Sequence, residues 1–385
     1  MARRASAAGK TTLVRLIRED GYVTLDRATV RAGAGADPDG FVAGLPVPVA
    51  LDEVQRVPDL LLAVKAEIDE NRQPGRFLLT GSANVLMLPK VADALPGRME
   101  IVELWPLSQG EIESRPESFV DTIFEQVLPT AVATRVSRGE LFGRVLRGGF
   151  PESLERPVDR RSDWFESYLT AVVEREVRNL SNVSSVADLT VMIRLIAARA
   201  GSLFNLADVA QGARLPHSTA RNYLGLLRAV FLVVDVPAWT TSLTTRIVRA
   251  PKLFLVDSGL TAHLQGLGRA RLETEPHLAG GLLEAFVAME LRKQISWSHL
   301  RPGLAHFRTR RGDEVDLVME ARDGTLVGIE VKSSATVRSS DFAGLRVLEE
   351  IAGHRFRRGV VLYTGADVVS FGPKLVAAPV SLLWS

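Results

Sequence analysis

In the first eighty residues, helix-like and strand-like patterns of apolar side chains follow one another. Residues 11–17 place apolar side chains at helical spacing, and residues 22–26 alternate as a short strand does. Two continuous apolar runs follow at residues 47–51 and 77–79, with a helical pattern at residues 58–71 between them. Continuous runs of this length are typical of strands buried on both faces of a parallel sheet. We therefore predict an α/β domain at the N-terminus.

The turn in front of the first predicted helix carries the sequence Gly9-Lys10-Thr11-Thr12. This is the second half of the phosphate-loop motif, in which backbone N–H groups surround phosphates, the lysine reaches the outer phosphates and the hydroxyl binds Mg²⁺. Arg4 stands where the motif has its leading glycine. We predict that the strand feeding the loop is missing, and that in-frame codons upstream of the start encode an apolar strand ending near a glycine. A stop codon there would instead indicate a weak or inactive ATP site.

The first apolar run ends in two acids, Asp52 and Glu53. The carboxyl ends of strands are where open α/β sheets bind ligands. The pair matches a Walker B element, in which Asp52 binds Mg²⁺ through water and Glu53 polarises the attacking water. A core strand ending in a solvated acidic turn is the alternative. The phosphate-loop residues upstream, in the proper order, favour the nucleotide site.

The central part of the chain predicts a helix at 205–210, a second helix at 217–230, and two strands at 231–236 and 252–256. This order is typical of a winged helix, whose second helix can enter a major groove of DNA. The polar face of that helix holds Arg221, Asn222 and Arg228. We predict contact with nucleic acid, DNA being favoured. The alternative is a packing or protein-interaction module, because the face has few basic residues.

The C-terminal part predicts a helix at 278–297 and two strands at 314–319 and 326–331. Asp316 lies in the first strand, and Glu330 and Lys332 share one face of the second. If the strands pair, the two carboxylates offer hard oxygen ligands to Mg²⁺, and Lys332 can orient or deprotonate water. Surface charge pairs on ordinary strands are the alternative.

Two family resemblances follow from these stretches. The segments AGKTT, VALDEVQRVPDLL, FLLTGSAN, LPGR and ELWPLSQGE, in this order, resemble AAA-type ATP-binding proteins of bacteria and archaea with an uncharacterised C-terminal domain. The resemblance covers nearly the whole chain. It implies a γ-phosphate sensor at Thr80 or Ser82 and a charge-stabilising arginine at Arg98. A plain turn and a surface arginine are the respective alternatives. Pro251-Lys252 also matches the family, without an assigned role.

The C-terminal acids resemble the PD-(D/E)xK nuclease superfamily. That resemblance implies that Glu284, on the preceding helix, joins Asp316 and Glu330 as a third metal-binding acid. Basic neighbours at Arg308, Arg310 and Arg311 agree with it. The fold can also persist as a docking platform without cleavage, because fold does not determine function.

Composition limits the remaining possibilities. The 385 residues exceed one ordinary core, and we predict an AAA-like domain at 1–125, a helical and winged-helix domain at 126–275, and a nuclease-like domain at 276–385. The absence of cysteine excludes disulfides, thiolate zinc sites and cysteine nucleophiles. The net charge of +2 gives no global nucleic-acid footprint. Because no apolar run approaches membrane length, we expect a soluble cytoplasmic protein.

The sequence therefore predicts an α/β multidomain ATPase with ATP and Mg²⁺ as cofactors, coupled to a nuclease-like domain that acts on nucleic acid. A nucleotide-gated DNA- or protein-binding regulator without nuclease turnover is the alternative. A degenerate ATPase with a live nuclease is a third possibility. Arginine fingers act between subunits, so a homo-oligomer is a further expectation.

Overall fold

The computed structural model describes residues 2–4, 8–81, 97–125, 135–177 and 185–385. Two compact units divide the chain. The first unit comprises residues 1–105, 168–184 and 224–232, and the second comprises residues 106–167, 185–223 and 233–385. The predicted domain boundaries at 125 and 275 stay a prediction.

The first unit is built on a five-stranded parallel sheet in the order β2-β3-β4-β1-β5. Its strands are β1 (Ala2–Arg4), β2 (Tyr22–Thr24), β3 (Val49–Asp52), β4 (Phe77–Gly81) and β5 (Val102–Leu104). Its first helices are α1 (Lys10–Ile17), α2 (Ala28–Ala36), α3 (Pro38–Ala43) and α4 (Leu60–Glu70). A buried core joins the sheet to α4 through Leu51, Leu60, Leu61 and Val64. The predicted parallel α/β arrangement is thus present.

The expectation that no strand precedes the phosphate loop is wrong. Residues Ala2–Arg4 pair in parallel with both β4 and β5 and so occupy an interior position in the sheet. Three residues are enough to connect these two neighbours, although so short a strand leaves no periodic pattern in the sequence. The proposal about upstream codons remains a prediction.

Helices predominate between residues 106 and 300. They are α5 (Gln109–Glu113), α6 (Phe119–Thr122), α7 (Arg138–Arg147), α8 (Pro151–Glu155), α9 (Val158–Ala171), α10 (Val186–Ala198), α11 (Leu206–Gly212), α12 (His217–Ala229), α13 (Leu243–Val248), α14 (Ser258–Leu264), α15 (Arg269–Thr274) and α16 (Ala279–Trp297). The strands β6 (Val233–Val236) and β7 (Lys252–Leu255) form an antiparallel pair. The predicted helices and β-pair of the central region are therefore present, and their interpretation as a winged helix stays a prediction.

A six-stranded mixed sheet occupies the C-terminal part of the second unit. Its order is β12-β13-β11-β10-β9-β8. The strands are β8 (Gly303–Arg308), β9 (Glu314–Glu320), β10 (Leu326–Lys332), β11 (Phe356–Tyr363), β12 (Val369–Ser370) and β13 (Leu375–Pro379), with helix α17 (Ala343–Ala352). Strands β9 and β10 pair antiparallel with Leu317 opposite Ile329, which confirms the predicted hairpin. The long helix α16 is buried over much of its length and shares a core with this sheet.

Asp257 joins the start of α14 to the Gly-Gly turn at Gly148-Gly149. Its carboxylate accepts backbone N–H bonds from Leu260 at 2.8 Å, capping α14, and from Gly149 at 2.7 Å. A Cβ at Gly149 would lie 2.1 Å from the carbonyl oxygen of Leu107, so only glycine fits this approach. Burial raises the pKa of Asp257 in spite of these bonds. The Gly-Gly turn and Asp257 are therefore structural.

Candidate functional site

The phosphate-loop residues lie at the start of α1. Gly9 precedes the helix with a φ of 76°, a left-handed conformation that glycine adopts without steric cost. The first-turn N–H groups of a helix have no partner within the helix, and together with the helix dipole they favour a bound anion. The intact half of the motif thus has the local backbone that phosphate binding requires.

Both Walker B acids meet the phosphate-loop side chains. The Lys10 ammonium lies 3.1 Å from Glu53 Oε1, and the Thr11 hydroxyl donates to Asp52 Oδ2 at 3.0 Å. Lys10 and Asp52 are both buried. Two stretches about forty residues apart in sequence are therefore brought into one polar site, as the sequence predicted.

Two further hydroxyl groups bind Asp52. Tyr22 donates to Oδ2 at 2.6 Å, and the fully buried Thr80 donates to Oδ1. Burial alone raises the pKa of Asp52, but the bonds from Thr80, Tyr22 and Thr11 and the charge of Lys10 outweigh it and lower the pKa below its usual value. Asp52 is thus held ionised. Sequence reasoning missed Tyr22, because β2 carries no motif that points to its role.

A cavity of about 770 Å³ opens beside the site. Thr11, Thr12, Tyr22, Arg15 and Arg27 are among its lining residues. Arg15 also lies over the ring of Tyr22, at 4.7 Å from the centroid. Thr12, the last predicted nucleotide-binding residue of the loop, therefore faces open space next to the buried acids.

Ser82 and Arg98 are the two other residues that the family resemblance assigns to the nucleotide site. Ser82 lies outside the described residues. Arg98 forms two hydrogen bonds with the Asp69 carboxylate, at 2.6 Å and 3.2 Å. The pair is exposed, and the bond with Asp69 raises the pKa of Arg98. Thr80, the other residue predicted as a sensor, donates a hydrogen bond to Asp52.

The C-terminal acids also come together, within the second unit. Asp316 Oδ2 accepts the backbone N–H of Val331 at 2.9 Å, and Lys332 Nζ lies 2.8 Å from Glu330 Oε1. Glu284, from α16, is buried beside them and interacts electrostatically with Asp316 and Glu330. We refer to Glu284, Asp316 and Glu330 as the carboxylate cluster.

Lys252 is the residue that the sequence left without a role. It lies on β7, and its ammonium donates to Glu284 Oε1 at 2.7 Å and to Asp316 Oδ1 at 3.3 Å. Only 4% of the Lys252 surface is exposed. Burial lowers the pKa of Lys252, but the two carboxylates outweigh it and raise the pKa, so the side chain is a cation. Burial raises the pKa of Glu284 to about 8.

The carboxylate cluster holds a lysine where the sequence predicts a metal ion, and the metal site stays a prediction. Among the residues that the structure describes, no group of three or more His, Asp or Glu side chains is arranged to hold a metal ion. The physical reason is the Lys252 ammonium, which binds Glu284 and Asp316 where a divalent ion would have to bind both. The predicted acids are thus brought together, but around a lysine.

The predicted nucleic-acid residues lie on α12. Arg221, Asn222 and Arg228 are all exposed, whereas Tyr223 and Leu227 on the same helix are buried. The amphipathic division of this helix follows the prediction. The position of a residue on a face does not by itself identify a ligand.

Comparison with known proteins supports the class of the first unit. Residues 4–113 match the sequence model of a family described as an AAA domain. Residues 138–271 and 279–383 match two families described as domains of unknown function, DUF8612 and DUF4143. These matches support an AAA-type ATPase-like protein.

Two mycobacterial proteins are similar to nearly the whole chain. Uncharacterized proteins of Mycobacterium bovis and Mycobacterium tuberculosis are each 29% identical to it over 376 residues, which is 97% of this chain and 78% of each relative.

Among the described residues, no helix is long and apolar enough to cross a membrane.

Proposed function

We propose that the chain hydrolyses ATP with Mg²⁺ at the site in the first unit, and that its nucleotide state controls a nucleic-acid-binding second unit that does not itself cleave. The observation that supports ATP hydrolysis most directly is the meeting of Thr11 with Asp52 and of Lys10 with Glu53. These four side chains supply a phosphate cation, metal ligands and a carboxylate to act on water.

Each residue of the site has a definite task. Gly9 and the start of α1 bind phosphate, while Lys10 neutralises the outer phosphates. Thr11 and Asp52 offer hydroxyl and carboxylate oxygens, which suit Mg²⁺, and bound Mg²⁺ reduces the charge of the phosphates. Glu53 orients the attacking water and accepts its proton. Because Glu53 pairs with Lys10 at 3.1 Å, ATP must compete with this ion pair.

Site-directed variants test ATP hydrolysis. Lys10→Ala and Asp52→Asn abolish Mg²⁺-dependent release of phosphate, because each removes a group that acts on phosphate or metal. Lys65→Ala on α4 removes a lysine from the same unit outside the site and serves as the matched control. Hydrolysis that persists in Lys10→Ala overturns the assignment.

Nucleic-acid binding is assigned to the exposed face of α12. Arg221 binds phosphate there, and Asn222 contacts a base edge or the backbone; both residues belong to the second unit. Double-stranded DNA, labelled for fluorescence anisotropy, binds the wild type with an affinity that falls as salt rises. Arg221→Ala weakens this binding, whereas Arg194→Ala on α10 leaves it unchanged. Equal affinity in all three proteins favours a packing role for the helix.

The absence of cleavage is supported by the ion pairs of Lys252 with Glu284 and Asp316. Wild type and Asp316→Ala, incubated with plasmid and single-stranded DNA in Mg²⁺ or Mn²⁺, with and without ATP, leave the DNA equally intact. Cleavage by the wild type that Asp316→Ala abolishes restores the nuclease hypothesis.

A further inference from the structure

The position of Lys252 is unusual for a lysine. Its Nζ is buried and lies between two carboxylates that come from different elements, Glu284 on α16 and Asp316 on β9. A buried ammonium is costly unless its charge is paired and its protons are bonded. Both conditions are met here, so the site is built to hold a cation.

The same carboxylates offer the ligand set of a hard divalent cation. Three acids converge from one helix and two paired strands, and oxygen ligands of this type suit Mg²⁺, Mn²⁺ or Ca²⁺. An ammonium that bridges two of these acids already supplies the positive charge that brings them together. It also repels a second cation at this distance.

Other groups surround the carboxylate oxygens of the cluster that Lys252 does not bind. Asp316 Oδ2 is bonded to the Val331 N–H, and Glu330 Oε1 to Lys332. A Cβ at Gly201 would lie 2.6 Å from Glu284 Oε2, so the backbone closes directly on that oxygen. Glu330 Oε2 is buried without a hydrogen-bond partner. This oxygen is therefore left for a ligand that the lysine does not provide.

We infer that the Lys252 ammonium is the resident cation of the carboxylate cluster, so that the native chain binds no divalent metal there, and that a neutral residue at position 252 uncovers a latent divalent-cation site formed by Glu284, Asp316 and Glu330. This deepens the proposal that the second unit does not cleave. The lysine comes from β7 in the central region, whereas the acids come from α16 and the C-terminal sheet. The side chain therefore also joins two segments that match different families.

Mn²⁺ binding to the full-length chain without nucleotide tests the inference. The measurement is the electron paramagnetic resonance signal of free Mn²⁺ during titration. Lys252→Met, which keeps the length of the side chain and removes its charge, binds one Mn²⁺ per chain more than the wild type. The additional ion is lost in the double variant Lys252→Met/Asp316→Asn.

Two controls separate metal binding from a general change of charge. Lys252→Arg keeps a cation in the cluster and gains no ion. Lys332→Met removes one positive charge from a neighbouring residue, leaves Lys252 in place, and also gains no ion. If Lys332→Met gains the same ion, net charge and not the position of Lys252 determines binding, and the inference is wrong.

Mn²⁺ binding by the wild type tests the inference even if Lys252→Met does not fold. Mn²⁺ uptake by the wild type that Asp316→Asn abolishes overturns the inference, because the lysine then does not exclude metal. A folded Lys252→Met that gains no ion overturns it as well. Either result leaves the DNA-cleavage assay as a separate test, since cleavage by the wild type contradicts the proposed function whatever Lys252→Met binds.

Discussion

The Tyr22 hydroxyl lies 2.6 Å from Asp52 Oδ2 and donates a hydrogen bond to it. The two residues lie on adjacent parallel strands, with Tyr22 opposite Ala50 and Asp52 opposite Thr24. Burial and the neighbouring carboxylate raise the pKa of the tyrosine, so it acts as a donor over the physiological range. Tyr22 therefore positions the acid that is assigned to Mg²⁺.

Tyr22→Phe tests this positioning role. Loss of a hydrogen bond to a charged group costs about 1.5–3 kcal/mol, and about tenfold in kcat/KM corresponds to 1.4 kcal/mol. We expect a loss of about tenfold or more, with a higher Mg²⁺ concentration needed for half-maximal hydrolysis. Tyr223→Phe removes a tyrosine hydroxyl outside the nucleotide site and should hydrolyse ATP as the wild type does. An unchanged Mg²⁺ requirement in Tyr22→Phe would show that the bond has no part in metal binding.

The ion pair between Lys10 and Glu53 gives a second prediction. Glu53→Gln removes the charge that holds Lys10 in the free chain, so ATP no longer competes with it. Since such partly buried pairs contribute about 1 kcal/mol, ATP should bind roughly fivefold more tightly while hydrolysis is lost. Equilibrium binding of ATP and phosphate release measure the two effects. Weaker ATP binding by the variant would mean that Glu53 helps to bind nucleotide.

The meeting of the phosphate-loop residues with Asp52 and Glu53 was largely predictable, and the lysine in the carboxylate cluster was not. Gly9-Lys10-Thr11 and Asp52-Glu53 are contiguous motifs, and a parallel sheet brings the ends of its strands together. Asp316 and Glu330 were predictable for a similar reason, because strand pairing and the two-residue period determine their shared face. Lys252 lies 64 residues before Asp316 on a strand of another region, and only tertiary packing places it there. The strand Ala2–Arg4 was missed because it is too short to form a pattern.

Arg98 leads to a prediction about assembly. We predict that Arg98 completes the nucleotide site of another copy of the chain. Its pair with Asp69 keeps the arginine side chain on the surface, where it can reach that copy. Arg98→Ala then lowers kcat by about a thousandfold or more with little change in KM, as loss of an arginine finger does. Turnover per chain rises with protein concentration in the wild type. Arg72→Ala, which removes another exposed arginine of the first unit, is the matched control, and turnover equal to wild type in Arg98→Ala assigns Arg98 to the surface.

The buried ion pairs of Lys252 make a prediction about stability. Removing one partner of a buried pair costs about 3–5 kcal/mol, because the other charge remains buried. We therefore expect Lys252→Met to be destabilised by about this amount in chemical unfolding at about pH 9, above the pKa of Glu284. Lys332→Met should lose less, because Lys332 is one-third exposed and its pair with Glu330 is partly solvated. Equal losses in both variants would contradict the special position of Lys252.

The raised pKa values in the cluster determine how its stability changes with pH. Burial and the charge of Asp316 raise the pKa of Glu284 to about 8, while Lys252 opposes the shift, and Glu330 is raised to about 7 for the same main reasons. Between the unfolded value near 4.5 and these folded values, the folded chain holds more protons than the unfolded chain. Its stability therefore falls as pH rises through this window.

Glu284→Gln isolates one of these groups. From pH 5 to pH 8, the wild type should lose more unfolding free energy than the variant does. The additional loss is about 1.4 kcal/mol for each unit by which folding raises the pKa of Glu284. Thermal and urea unfolding of the full-length chain across this range measures it. Glu350→Gln, at an exposed glutamate of α17, controls for the loss of one acid elsewhere in the second unit. If the difference in unfolding free energy stays constant with pH, Glu284 has its ordinary pKa in the folded chain, because Lys252 then offsets the effect of burial.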